Sequence, residues 1–299
     1  MDEERDPESD LVGISSRFLR VHPPMTPNAG FLGCVVRFGD GSYWKLMKPL
    51  SQTRYQQSDP PYEAAQVFAC TRLDGPADEQ IGREAVVKVK YQVNGTTQSN
   101  DFYQRHLEEE QEAARLQDLD DDEEPLERAR RYVYRATHPV KVPNEATTNE
   151  INALGKFNEC NCANAPHLLG AVQDVIRPRV DDEAMIHGYV AFILMTKVPG
   201  EHIDQKKYWA LSVAERDEIR AAFREALLEV WDCRIVPLDT SLRNITWDKE
   251  ARKCYIVDFE EHAFLRDTNE WSEDLTEADY KMWGLAEECR PRHLFAEPQ

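Results

Sequence analysis

The sequence predicts an α+β protein of two lobes, the first built on an antiparallel sheet and the second mainly helical and short. Three observations carry this expectation. Between residues 33 and 92, β-branched and aromatic residues recur in short runs separated by turn residues, the pattern of a sheet. From 212 to 231, apolar residues recur at helical spacing behind a capping box. Between these stretches, Thr196-Lys197-Val198-Pro199-Gly200 breaks both patterns, as a hinge would.

The elements follow in order. Residues 1–24 are charged and proline-containing, which predicts disorder. The first lobe is assigned to 25–198. Its strands are expected at 33–38, 43–47 and 65–72, with Gly39-Asp40-Gly41 as a hairpin turn between the first two. The clearest strand is 84–92, where alternation puts Val87 and Val89 on one face and Lys88 and Lys90 on the other. Residues 93–142 read as an insertion: a helix over 102–117, an acidic run over 118–124, and a second helix over 126–134. The acidic run reads as a solvated loop, because blocks of like charge repel and stay exposed.

After Pro143 a helix carries Ile151, Leu154 and Phe157 as an apolar stripe, with Glu150 beside it. Residues 166–172 approach another strand, and 189–195 form a buried one. The second lobe, 199–299, opens with a helix capped by Ser212 and Glu215, whose apolar face includes Ile219, Phe223 and Leu227. That helix delivers the chain to Asp239. The runs 244–247 and 254–257, separated by the polar stretch 248–253, predict a hairpin, and a last amphipathic helix is expected over 276–288.

Composition narrows the function. The 299 residues carry 55 Asp and Glu against 36 Lys and Arg, a formal net charge of −19. Such a chain repels nucleic acid and anionic membranes. No apolar run is long enough to span a bilayer. The seven cysteines are odd in number and lack a framework of spacings, which fits reduced thiols and a cytoplasmic protein. Cys160-Asn161-Cys162 lacks the spacing of a zinc site.

The chemistry concentrates near the end. If the hairpin turns near residues 250 and 251, Asn244 and Asp258 fall opposite each other at its open end. An amide oxygen and a carboxylate there suit Mg²⁺. Asp239, on the loop entering the hairpin, is placed to accept a proton from an attacking hydroxyl.

Asp239, Asn244 and Asp258-Phe259 together resemble the protein-kinase-like superfamily, in which a catalytic Asp precedes a metal-binding Asn by five residues and a second metal-binding Asp precedes Phe. Arg243 before Asn244, and Glu260 after Phe259, are nearer to the aminoglycoside phosphotransferase and choline kinase branch, or to fungal kinase-like proteins. The resemblance implies ATP and Mg²⁺ as cofactors. It implies Asp239 as the catalytic residue, Asn244 and Asp258 as metal ligands, and Lys88 on the phosphates with Glu150 as the carboxylate that holds that lysine. Lys90 is the alternative to Lys88, and Glu145 the alternative to Glu150. Adenine would bond backbone groups at Thr196 to Val198, between Val86 and Ile256.

The pattern departs from the family in three places. No glycine lies between residues 51 and 62, where a phosphate-cradling loop belongs; Pro237-Leu238 replaces the usual His-Arg or His-Gly; and the 41 residues after Asp258 cannot build a peptide-substrate platform. Two functions follow from this. One is an ATP- and Mg²⁺-dependent transferase acting on a small-molecule hydroxyl, for which an acidic surface favours a cationic acceptor. The other is a pseudokinase or binding module that contacts a partner through 93–142.

Overall fold

The computed structural model describes residues 30–75, 83–117, 124–177, 183–265 and 274–291. The expected disorder of 1–24 and most of the acidic run at 118–124 lie outside the described residues. The chain divides into two compact units, one formed by Met1–Asn144 with Gly170–Leu194, the other by Glu145–Leu169 with Met195–Gln299. The architecture is α+β.

The first unit holds strands β1 (Val35–Arg37), β2 (Tyr43–Pro49), β3 (Arg54–Gln56), β4 (Glu63–Asp74) and β5 (Glu84–Gln92). It also holds helices α1 (Thr97–Gln117) and α2 (Glu124–Thr137), and most of strands β6 (Leu168–Val175) and β7 (Tyr189–Met195). The sheet order is β1-β2-β4-β5-β7-β6, with β3 also on β4. Pairing is antiparallel between β1 and β2, β2 and β4, β3 and β4, and β4 and β5.

The first hairpin turns where Gly39-Asp40-Gly41 predicts it, with Gly41 at φ +87°. Asp40 Oδ1 accepts from the Ser42 hydroxyl at 2.7 Å, and Ser42 Oγ accepts from the buried Trp44 indole at 2.9 Å. The expected alternation of β5 is not a division between core and solvent. Val87, Lys88, Val89 and Lys90 are all buried, because both faces of this central strand are covered.

The insertion is a helical pair tied to the end of β5. Gln92, fully buried, donates to the His138 carbonyl at 2.8 Å and accepts from the Val140 amide at 2.9 Å. Tyr103 on α1 and Tyr132 on α2 pack with centroids 5.4 Å apart.

The second unit contains α3 (Glu145–Cys160), β8 (Glu201–His202), α4 (Gln205–Ala210) and α5 (Val213–Asp232). Strands β9 (Ile235–Pro237), β10 (Ile245–Asp248), β11 (Lys253–Ile256) and β12 (His262–Phe264), then α6 (Glu277–Met282), complete it. The strands form two small sheets, β11-β10-β8 and β12-β9. Ser212 and Glu215 make the expected reciprocal cap on α5, with bonds of 3.3 and 3.1 Å. The α5 face with Ile219, Phe223, Ala226, Leu227 and Val230 is buried, as its periodicity requires.

The expected last helix over 276–288 is shorter. Gly284 adopts φ +75° and Leu285 N–H reaches back to the Tyr280 carbonyl at 2.8 Å, so the α-helix closes at Met282 and the chain resumes as a short 3₁₀ turn, Glu287–Cys289. This segment is tied to α5 by three arginines spaced four residues apart. Arg216 meets Glu287 at 3.2 Å, Arg220 grips Glu277 at 2.7 and 3.2 Å, and Arg224 meets Asp274. Arg220 also lies 4.1 Å from the centroid of the Tyr280 ring.

Candidate functional site

Asp239, Asn244, Asp258 and Glu150 all lie in the second unit, and so do Thr196 and Val198. Strand β9 runs against β12, with Pro237 opposite His262, and the Leu238 amide donates to the Glu261 carbonyl at 2.9 Å. Asp239 therefore follows directly from a pinned strand end. The chain then makes a 3₁₀ turn, Leu242–Asn244, whose last residue is 2% exposed.

Asn244 is oriented by its own hydrogen bonds. Its Nδ2 donates to the Asp239 backbone carbonyl at 2.9 Å and to Asp239 Oδ2 at 3.1 Å. Both partners are acceptors, so the nitrogen must face them and Oδ1 is the atom left for another ligand. Arg243 Nη2 donates to the same Asp239 Oδ2 at 2.7 Å.

The hairpin register differs by one residue from the expected pairing of 244 with 258. Ile245 pairs with Ile256 and Asp248 with Lys253, so four residues make the turn, held by Asp248 Oδ1 accepting from the amides of Glu250 and Ala251 at 3.0 and 3.1 Å. Asn244 is consequently bonded to Val257, whose amide donates to the Asn244 carbonyl at 2.9 Å. Asp258 comes one position later, at φ +69°. That is left-handed backbone in a non-glycine residue, a strained conformation that functional sites accumulate.

Beyond that turn the chain brings together a group that sequence spacing did not assemble. One carboxylate oxygen from each of Glu150, Asp258 and Glu260 lies within 4.8 Å of the others. Glu150 is 2% exposed, whereas Glu145 sits exposed in the first turn of α3, where it favours the helix dipole. Three carboxylates this close, one of them buried, repel one another unless a cation or a proton offsets their charge. Oxygen donors of this type suit a hard cation such as Mg²⁺, so the side chains present fit the implied ion. The signal for Glu260 was its position two residues after Asp258, but its role depends on α3, which no local pattern links to it.

Phe259, fully buried, seats the segment. Its ring packs against Phe157 on α3 at 4.6 Å between centroids. Phe157 lies seven residues, two helical turns, beyond Glu150, so one face of α3 carries both contacts.

The remaining site residues are placed as follows. Lys88 is in the first unit, buried in β5. Lys90 forms a 3.0 Å ion pair with Glu63, both side chains 2% exposed, and Glu63 also accepts from the Tyr189 hydroxyl. Burial, then the Glu63 charge, raises the Tyr189 pKa well above its ordinary value, so the phenol stays a donor. Val86 is partly exposed, and Ile256 is fully buried as core. The Thr196 amide donates to the His167 carbonyl at 2.9 Å and its hydroxyl accepts from the His167 amide at 2.8 Å, so that N–H is committed within the protein. No helix among the described residues is long and apolar enough to cross a membrane.

No protein-family model matches the sequence, and no curated protein does. Among solved structures, the chain is similar to the kinase PK-1 of Cydia pomonella granulovirus, with a TM-score of 0.39 and 11% identity over 81% of this chain and 67% of the viral one. It is also similar to Rv3197 of Mycobacterium tuberculosis in complex with erythromycin, with a TM-score of 0.34 and 14% identity. That alignment covers 67% of this chain and 44% of the mycobacterial one. Likenesses of this strength assign the chain to no family.

Proposed function

We propose that the chain is a kinase-like phosphotransferase that uses ATP and Mg²⁺ to phosphorylate a hydroxyl of a small molecule. The observation that carries this reading is the pairing around Asn244. Its amide nitrogen holds Asp239 while its backbone carbonyl holds Val257, so a carboxylate suited to an acceptor and one suited to a metal flank the same residue. Asn244 Oδ1, Asp258 and Glu260 would hold the ion, which supplies charge compensation on the nucleotide phosphates. Lys88 would serve the phosphates with Glu150 as its carboxylate partner, and adenine would meet the Thr196 to Val198 segment through groups other than the Thr196 amide.

In the transfer, the acceptor oxygen bonds to the γ-phosphorus as the bond to the β–γ bridging oxygen breaks, and ADP leaves. Asp239 orients the hydroxyl and takes its proton. Little further covalent help is needed in a loose transition state, so positioning and charge carry the rate. An acidic surface favours a cationic acceptor.

Thermal melting with and without MgATP tests this. A ligand held only by the native state, at a hundred times its dissociation constant, adds about 2.7 kcal/mol. The expected shift disappears in Asp258→Ala, and Asp239→Ala removes turnover while keeping the shift. No shift at millimolar nucleotide overturns the reading. A pseudokinase is the second reading, favoured by the β2 to β4 connection, which contains no glycine. A melting shift without turnover would select it.

A further inference from the structure

We propose that Cys160 and Cys233 form a peroxide-responsive modification site, closing under a hydroperoxide into a disulfide that fastens the end of α3 to the end of α5. Neither residue belongs to the site described above, and the proposal stands whether or not the chain transfers phosphate. Both thiols sit where a helix stops. Asn161 adopts φ +54°, its amide returning to the Asn158 carbonyl at 3.2 Å and the Cys162 amide to the Phe157 carbonyl at 3.0 Å, so α3 closes in a left-handed turn with Cys160 as its last residue. The end of α5 is built alike: Cys233 is its C-cap, and Arg234 follows at φ +65° with its amide on the Trp231 carbonyl at 2.7 Å. One bond docks the two ends. The Ala163 amide donates to Glu229 Oε1 at 2.8 Å, and Glu229 lies one turn ahead of Cys233, whose amide donates to the Glu229 carbonyl at 3.3 Å. The Cys233 thiol is thereby held within electrostatic reach of those of Cys160 and Cys162.

The three thiols differ in access. Cys160 is exposed, whereas Cys162 and Cys233 are 1% and 2% exposed. An oxidant arriving from solvent therefore meets Cys160 first. Burial, then the neighbouring Cys162, pushes the Cys233 thiol well above its ordinary value, so Cys233 rests protonated and acts second. In the first step the Cys160 thiolate attacks a peroxide oxygen: the S–O bond forms, the O–O bond breaks, and the departing hydroxide takes up the proton Cys160 had released. In the second, the Cys233 sulfur attacks the Cys160 sulfur as its own proton leaves: the S–S bond forms, the S–O bond breaks, and a second water departs. Two thiols are oxidised and one hydrogen peroxide is reduced to two waters. Proximity carries the second step, because the partner sulfur is already held beside Cys233. The disulfide would join the end of the helix that carries Glu150 to the start of the strand that leads to Asp239.

The test treats the folded full chain with hydrogen peroxide, blocks the remaining thiols with an alkylating agent, and maps the digest by mass spectrometry. The expected product is a cross-linked peptide pair containing Cys160 and Cys233. Cys162→Ala should still form it. Cys160→Ser, a change at an exposed position that keeps the fold, should abolish it and leave Cys233 alkylated. In Cys233→Ala, dimedone should trap Cys160 as its sulfenic acid, which the unaltered chain does not accumulate. Melting of each variant before oxidation shows that it is folded. Thiols left free by peroxide overturn the proposal. A link between Cys160 and Cys162, between Cys162 and Cys233, or from Cys160 to a second chain overturns it equally, as does dimedone labelling of Cys160 that is unchanged by the loss of Cys233.

Discussion

The rings of Phe157 and Phe259 meet edge to face with centroids 4.6 Å apart, fastening the segment that carries Asp258 and Glu260 to the helix that carries Glu150. Both phenylalanines are fully buried. Phe259→Ala should cost about 3–5 kcal/mol, the range for emptying an aromatic site in a core. A double-mutant cycle with Phe157→Ala should return a coupling of about 0.5–1.5 kcal/mol. Urea unfolding measures both, and additive losses would show that the rings are energetically independent.

Lys88 and Lys90 should separate experimentally. Lys90→Met leaves Glu63 buried without its ion-pair partner and should cost about 3–5 kcal/mol. The double variant Lys90→Met with Glu63→Gln should recover most of that loss. Lys88→Met is expected to remove the MgATP melting shift instead. Melting with and without nucleotide distinguishes the two outcomes, and a nucleotide shift lost in Lys90→Met but kept in Lys88→Met would reverse the assignment.

Gly200 admits no side chain. It stands at φ +94°, and a Cβ there would penetrate the backbone of Trp247 and Asp248, where β8 meets β10. Gly200→Ala should therefore lower stability by more than about 1 kcal/mol, since a left-handed glycine and a backbone clash are combined. A melting temperature equal to that of the unaltered protein would show that the β8 pairing yields without cost.

The arginines of α5 predict an acid limb of stability. Hydrogen bonding to Arg224 holds the Asp274 carboxyl below its ordinary 3.8, and Arg220 holds Glu277 below its ordinary 4.5. Depressed folded-state values mean that the contribution is present above the unfolded values and is lost as the pH falls through the folded ones. Stability by urea titration should decline from about pH 5 towards pH 3, less steeply in Asp274→Asn with Glu277→Gln. Both pairs are exposed, so high salt should flatten the same slope.

Much of the fold was legible because its signals are local. The β5 strand, the Ser212 cap and the two strand-like runs either side of the polar stretch 248–253 each specify themselves within a few residues. The hairpin register was missed because Asp248 folds back on two amides and sets a four-residue turn, which hydrophobic pattern alone does not fix. The early end of α6 follows from one glycine, readable in principle as a helix stop. Glu260 could not be placed, because its neighbour Glu150 is brought from far along the chain. The two lysines of β5 looked alike because alternation separates faces, and both faces of that strand are buried. The grip of Arg243 on Asp239 was available as a four-residue spacing of opposite charges, although the backbone there is a loop and a 3₁₀ turn.

Residues Glu145–Leu169 belong to the second unit although the chain returns to the first before that unit is finished. During synthesis, Phe157 leaves the ribosome about 100 residues ahead of Phe259, which at 5–20 residues per second is a wait of roughly 5–20 s. Throughout that interval α3 has an apolar face without its final cover. A nascent chain stalled before residue 259 should therefore be a chaperone client and a protease target, whatever the stability of the finished protein.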